Sequence, residues 1–205
     1  MKDGAELVAT VLLALAAVAT AWSGYQATRW NGEQTKASSR TNAIRIDAAR
    51  AQGLSEAQKE VDVATYIQWV DAYVRRETEL TTFYERRFRA EFKPAFAAWV
   101  ATKPLTNARA PLTPFVMPQY RLAAEEEAAR LDSEAEVSAA EVRRNIQRAS
   151  NYILGVVLFS VALFFAGTST KLTSPRLRAF TVGVGCVVFL GTLVWIASSP
   201  VSLSI

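Results

Sequence analysis

Three consecutive glutamates, Glu125 to Glu127, and a looser file of four, Glu77, Glu79, Glu85 and Glu91, are the residues whose types and spacing could do chemistry in this chain. Paired carboxylates can pass protons as general acid and base, or chelate a hard cation. The chain holds no histidine and a single cysteine, Cys186. Histidine-ligated zinc, a Cys₄ cluster and the Ser-His or Cys-His nucleophile pairs therefore lie outside what it can build. The carboxylates alternate with Arg and Lys along amphipathic stretches, which is the pattern of a solvated helical face. No G-x-x-x-x-G-K-[ST] or G-x-G-x-x-G loop occurs, and "GVGCVVFLG" at Gly183 sits within an apolar run. These readings predict no catalytic residue, no cofactor and no metal site, hence a non-enzyme.

The elements around these residues follow from where charge is missing. Leu7 to Tyr25, Ala149 to Thr170 and Ala179 to Pro200 contain no Asp, Glu, Lys or Arg. Each approaches the roughly 20 residues that a helix needs to cross a bilayer. The spacing predicts three spans, at 1–25, 149–170 and 179–200, with a basic link at 171–178 and a tail at 201–205. "MKDGAE" offsets Lys2 with Asp3 and Glu6, unlike the positive start of a cleaved signal peptide, so the first span is expected to be retained. Trp22, Tyr25 and Trp30 follow the first run where aromatic rings favour the membrane interface. Segment 26–148 carries 19 basic and 17 acidic residues, a balance that argues against nucleic acid as a partner.

Within that segment the polar stretch after Trp30 has few large apolar residues, so a helix there buries only a narrow stripe and continues the membrane helix into water. Val63, Ile67, Val70 and Val74, then Tyr84, Phe88, Phe92, Phe96 and Trp99, recur at helical spacing and predict a buried helix face. Pro94 predicts a kink near Glu91 to Lys93 or a break between two helices. Four prolines in 103–118 make that stretch the turn of an antiparallel helical hairpin. A second long helix is predicted from Pro118, with Leu131, Ala135, Val142, Ile146, Ala149 and Ile153 along a coiled-coil-like seam that runs into the second span. The predicted fold class is an all-α membrane protein, with three transmembrane helices and this hairpin between spans one and two.

Small residues at Ala16, Thr20 and Gly24, and at Gly183, Gly185 and Gly191, let helix backbones approach within the bilayer. They pack the protein's own spans or a homo-oligomer. The rigid turn offers Pro114, Phe115, Met117 and Tyr120, which either fold back to cap the hairpin or present a tip to a protein partner. Seven basic residues at the hairpin's membrane-proximal ends, against four on the other side, favour a cytoplasmic hairpin. Two functional expectations follow: a scaffold whose hairpin mediates oligomeric assembly or partner contact, and alternatively a small homo-oligomeric channel lined by Ser, Thr and Gly of the spans.

Taken together, "AWSGYQATRWNGEQ", "FKPAFAAWVATKPLTNARAPLTPFVMPQYRLA" and "NYILGVVLFSVALFFAGTSTK" resemble an uncharacterised family of bacterial membrane proteins of about this length. Pro111, Pro114, Phe115, Met117, Pro118 and Tyr120 in the turn carry the most specific part of the likeness. The resemblance implies a bacterial origin, an inner or plasma membrane location and one N-terminal plus two C-terminal spans, with no activity or cofactor to carry over.

Overall fold

The computed structural model describes residues 2–202. Among the described residues the chain is helical, without strands: α1 (Lys2–Val74), α2 (Thr78–Arg87), α3 (Lys93–Ala101), a 3₁₀ turn (Pro114–Val116), α4 (Ala123–Ser169) and α5 (Pro175–Ala197). Helices α1, α4 and α5 are each long and apolar enough to cross a bilayer, which makes this an all-α membrane protein. The chain divides into two compact units, Met1–Arg40 with Val137–Ile205, and Thr41–Glu136.

The first unit contains the apolar runs. Its core joins Leu12 and Ala16 of α1, Phe159 and Ala162 of α4, and Phe189 and Ile196 of α5. Two glycines set how closely these helices pack. A Cβ on Gly155 would come within 2.8 Å of Ile196 Cδ1, and one on Gly185 within 3.2 Å of Leu12 Cδ2. Arg40 and Glu141 form an ion pair at 3.8 Å. After α5 the tail turns back, and its backbone is held by three side chains described below.

In the second unit, α1 and α4 run antiparallel. Arg45 pairs with Glu136 at 3.5 Å and Lys59 with Glu125 at 3.0 Å, so the register falls on one helix as it rises on the other. Buried positions of α1 recur every seven residues, at Thr41, Ala48, Ser55, Asp62 and Trp69, and Ala72 is buried one turn beyond the last. Opposite them α4 buries Ala124, Ala128 and Ala135. Small side chains allow close approach, and a seven-residue repeat keeps such a seam facing its partner.

This narrow stripe displaces part of the expected helix face. Val63, Ile67 and Val74 lie outside the core at 39%, 56% and 74% exposure, because Asp62, Tyr66 and Trp69 point inward instead. Helix α1 then stops at Val74, earlier than the sequence pattern suggests. Arg76 adopts φ 62, Arg76 N–H donates to Tyr73 O and Glu77 N–H to Ala72 O, the paired bonds of a Schellman stop built without glycine. Lys103 ends α3 in the same left-handed region, φ 54, and Pro104 follows it.

Pro94 occupies the first turn of α3, where its missing N–H leaves no helical bond unmade, so the chain breaks into two helices there. Pro118 does not begin the second long helix; α4 starts at Ala123, whose N–H donates to Glu91 Oε1 at 3.1 Å. On α4 the inward face carries Ala135, Ala149 and Tyr152, whereas Ile146 and Ile153 of the expected seam are exposed.

Candidate functional site

The second unit owes its core to aromatic residues from separate stretches. Trp69 of α1, Phe88 at the end of α2, Phe92 in the break, and Phe96 and Trp99 of α3 form the buried cluster. Tyr66, Val70, Tyr84, Phe115, Met117 and Tyr120 pack around it. Trp69 and Phe96 meet edge to face at 4.9 Å, Phe88 and Phe96 at 4.8 Å, and Phe92 stacks on Phe115 at 5.2 Å. Such pairs contribute about 0.5–1.5 kcal/mol each beyond the area they bury.

A polar group crosses the edge of this cluster. The Asp62 side chain is fully buried, and its Oδ2 accepts from Arg89 Nη1 at 2.9 Å and from the Tyr120 hydroxyl at 3.1 Å. Arg89 Nη2 also donates to Glu91, whose other oxygen takes the Ala123 N–H. Two carboxylates, one guanidinium and one phenol thereby link α1, the break before α3, the end of the proline-rich turn and the start of α4. Burial pushes the Asp62 carboxyl above its usual range, against the opposing pull of Tyr120 and Arg89. Burial and the neighbouring Asp62 charge push the Tyr120 hydroxyl up, so it stays a neutral donor. Asp62 Oδ1, Gln58 Oε1 and Ser55 Oγ are buried on successive turns of α1 without a hydrogen-bond partner, positions of the kind that buried water serves.

Next to the cluster opens a cavity of about 1030 Å³. Tyr66, Trp69, Tyr73, Phe96 and Trp99 form one wall and the loop from Lys103 to Leu112 another. Trp99 Nε1 donates to Pro111 O at 2.8 Å, and Asn107 Nδ2 to Thr102 O at 3.1 Å, which hold the loop in place. Glu85, Lys93 and Lys103 supply the charge along the wall. The Glu85 carboxylate accepts the Trp69 indole N–H at 2.9 Å.

Of the carboxylates singled out by type, Glu91, Glu125 and Glu127 stand in ion pairs and Glu85 accepts from Trp69. Glu125 meets Lys59, and Glu127 meets Arg130, which holds the Glu127 carboxyl below its usual range. Among the described residues no three acidic or thiol groups gather where they could hold a metal ion. The acidic residue with the most distinctive surroundings is Asp62, which sequence reasoning missed. Its seven-residue spacing from Ser55 and Trp69 was the available signal.

At the turn, Pro114 is buried, and Phe115, Met117 and Tyr120 fold onto the aromatic cluster, so they cap the unit and do not project as a tip. The apolar side chains that do project there are Leu105, Leu112 and Val116. Of the small residues in the spans, Ala16 is fully buried, Thr20 donates to Ala16 O at 2.7 Å, and a Cβ on Gly24 would come within 4.0 Å of Val156 Cγ2. Gly185 is a close-packing point, whereas Gly183 and Gly191 meet nothing within 4 Å, because α5 turns Val182, Gly185, Phe189 and Thr192 inward. Gly155, the tightest of the glycines, went unread.

Trp22 and Tyr25 are exposed, with rings 5.9 Å apart, as interface residues would be. Trp30 is different: it is buried, Arg148 stands 4.5 Å over its ring, and its Nε1 donates to Pro200 O at 3.2 Å. The Tyr152 hydroxyl donates to the same carbonyl at 3.2 Å, and the Gln26 carboxamide exchanges two bonds with the Ser202 backbone, the shorter at 2.9 Å. Trp30 therefore helps to hold the tail.

No protein-family model, curated protein or solved structure matches this chain. The fold and its sites define a class, an all-α protein with three helices suited to span a membrane and a helical hairpin between the first two.

Proposed function

We propose that this chain is a bacterial inner-membrane protein, non-enzymatic, whose helical hairpin mediates assembly with further copies of itself. The observation that supports this is the stripe on α1 in which Val63, Ile67 and Val74 are exposed, with Val70, half-buried against the aromatic cluster, on the same face between them. Its spacing of four, three and four is that of a coiled-coil seam, and an apolar helix face of that kind in water marks a protein contact. A second copy presents the same stripe, so the contact is self-complementary. The charge balance of the loops favours a cytoplasmic hairpin. The non-enzymatic reading draws on Glu125 and Glu127, which are engaged in ion pairs, and on Asp62, which is closed off from solvent.

Native mass spectrometry of the full chain in lipid nanodiscs tests this. The expected result is a dimer or larger assembly that Val63→Asp with Ile67→Asp converts to monomer. Both side chains are outside the core, so circular dichroism should be unchanged. Losing two such apolar anchors weakens association by roughly 10²- to 10⁴-fold. A wild-type monomer, or an assembly that the double variant leaves intact, would sink the proposal.

A further inference from the structure

We infer that the open cavity of the second unit binds a single-chain amphiphile with an anionic head, of which a fatty acid is the simplest case. This goes beyond the assembly reading: the cavity wall shares Val70 and Val74 with the assembly stripe but not Val63 and Ile67, the two residues that test it. At about 1030 Å³ the space reaches the upper end of the roughly 300–1,000 Å³ typical of small-molecule sites. Its wall is built of Trp, Tyr, Phe, Val and Leu side chains, which reward an apolar body.

The loop that closes one side is held by hydrogen bonds within itself and to Trp99. Asn107 N–H donates to Lys103 O, Ala110 N–H to Asn107 O, and Pro111 O accepts from Trp99. Leu105 and Leu112 stand at the cavity wall at 74% and 91% exposure, well placed to cover an acyl chain that enters there.

The head follows from charge. Lys93 and Lys103 bring two ammonium groups to the wall, against one carboxylate, Glu85, that is already engaged by Trp69. Lys93 Nζ spends a single bond, to Arg86 O at 3.0 Å, which leaves further donors for a ligand carboxylate. An ammonium-headed amphiphile would meet two like charges instead.

The experiment is photolabelling of the full chain in zwitterionic nanodiscs with diazirine-bearing palmitate, alongside the matching hexadecanol and hexadecylamine probes, read by peptide mass spectrometry. Palmitate adducts should concentrate on residues 97–112. Leu105→Glu with Leu112→Glu, both at exposed positions, should lower them about tenfold or more, as expected from losing apolar contact at the mouth. Lys93→Gln with Lys103→Gln should bring palmitate labelling down to the hexadecanol level. Adducts confined to the apolar stretches of α1, α4 and α5, or unchanged in the leucine variant, would overturn the site. Hexadecylamine labelling residues 97–112 as well as palmitate would overturn the anionic head. The Val63→Asp, Ile67→Asp variant should label like wild type, so the site and the assembly interface fail or stand separately.

Discussion

Asp62 shows how one residue can tie together distant parts of a unit. A buried carboxylate is tolerated only when its charge is answered, and here Arg89 and Tyr120 share one of its oxygens. Removing one member of a buried pair leaves the other unpaired, so Arg89→Met should cost about 3–5 kcal/mol. Tyr120→Phe removes one hydrogen bond to a charged group and should cost about 1.5–3 kcal/mol. Chemical denaturation followed by tryptophan fluorescence would measure both. Burial holds the Asp62 carboxyl above its ordinary value of 3.8, so the folded chain binds that proton more tightly than the unfolded chain does. Its contribution to stability is therefore fullest below the ordinary value and declines as pH rises through the raised one. Glu127, held down by Arg130, slopes the other way and is common to wild type and variant. Asp62→Asn should flatten the decline, and a denaturation midpoint whose pH dependence is the same in both proteins would contradict the assignment. The Arg89→Met penalty should also shrink in acid, where Asp62 is neutral. Nothing in the local sequence announces this role: "EVDVATY" reads as an ordinary mixed-charge helix until the seven-residue spacing of Ser55, Asp62 and Trp69 is set beside the distant Arg89 and Tyr120.

At the scale of the helices, close approach decides which small residues matter. Gly155 of α4 faces Ile196 of α5, and Gly155→Ala would set a methyl 2.8 Å from Ile196 Cδ1. Overpacking of this kind costs about 1–3 kcal/mol when neighbours must shift. Ile196→Val deletes that methyl and alone costs about 0.5–1.5 kcal/mol. The pair should thus be less damaging together than the sum of the two singles, and additive losses in thermal melts would contradict the contact. Gly183→Ala, by contrast, meets nothing and should be close to neutral. The spans themselves were legible, since uncharged runs near 20 residues leave little else for a chain to build. The inward face was not. Gly183, Gly185 and Gly191 do not share one side of a helix, and only contact with Leu12 and Ala162 selects Gly185. The hairpin was legible in its proline-rich turn and in Pro94, which breaks the chain as anticipated. Its first stop was not, because Arg76 takes a left-handed conformation usually reserved for glycine, and so no glycine marks the end of α1. Large valines and isoleucines suggested one face, while the packed seam is made of Ala, Ser and Thr.

The molecule as a whole has two cores with no member in common. Leu12, Phe159, Phe189 and their neighbours form one, and Trp69, Phe92, Trp99 and theirs the other. Their drives differ as well: the first is suited to hydrocarbon, where close packing replaces the hydrophobic effect, and the second relies on withdrawing aromatic surface from water. Helices α1 and α4 belong to both units, which provides a mechanical link, but a helix alone couples weakly because most of its stability comes from tertiary packing. Calorimetry of the full chain in nanodiscs should therefore show two transitions. Arg89→Met should lower one of them and leave the other in place, whereas Gly155→Ala should do the reverse. Each variant reports on a contact within a single unit, so the crossed pattern is a property of the whole chain and not of either site. A single transition displaced by both variants would mean that the shared helices bind the two cores into one cooperative body. In that case the cavity and the assembly stripe would respond to changes among the membrane spans, and ligand binding at the former should shift the melting of the entire protein.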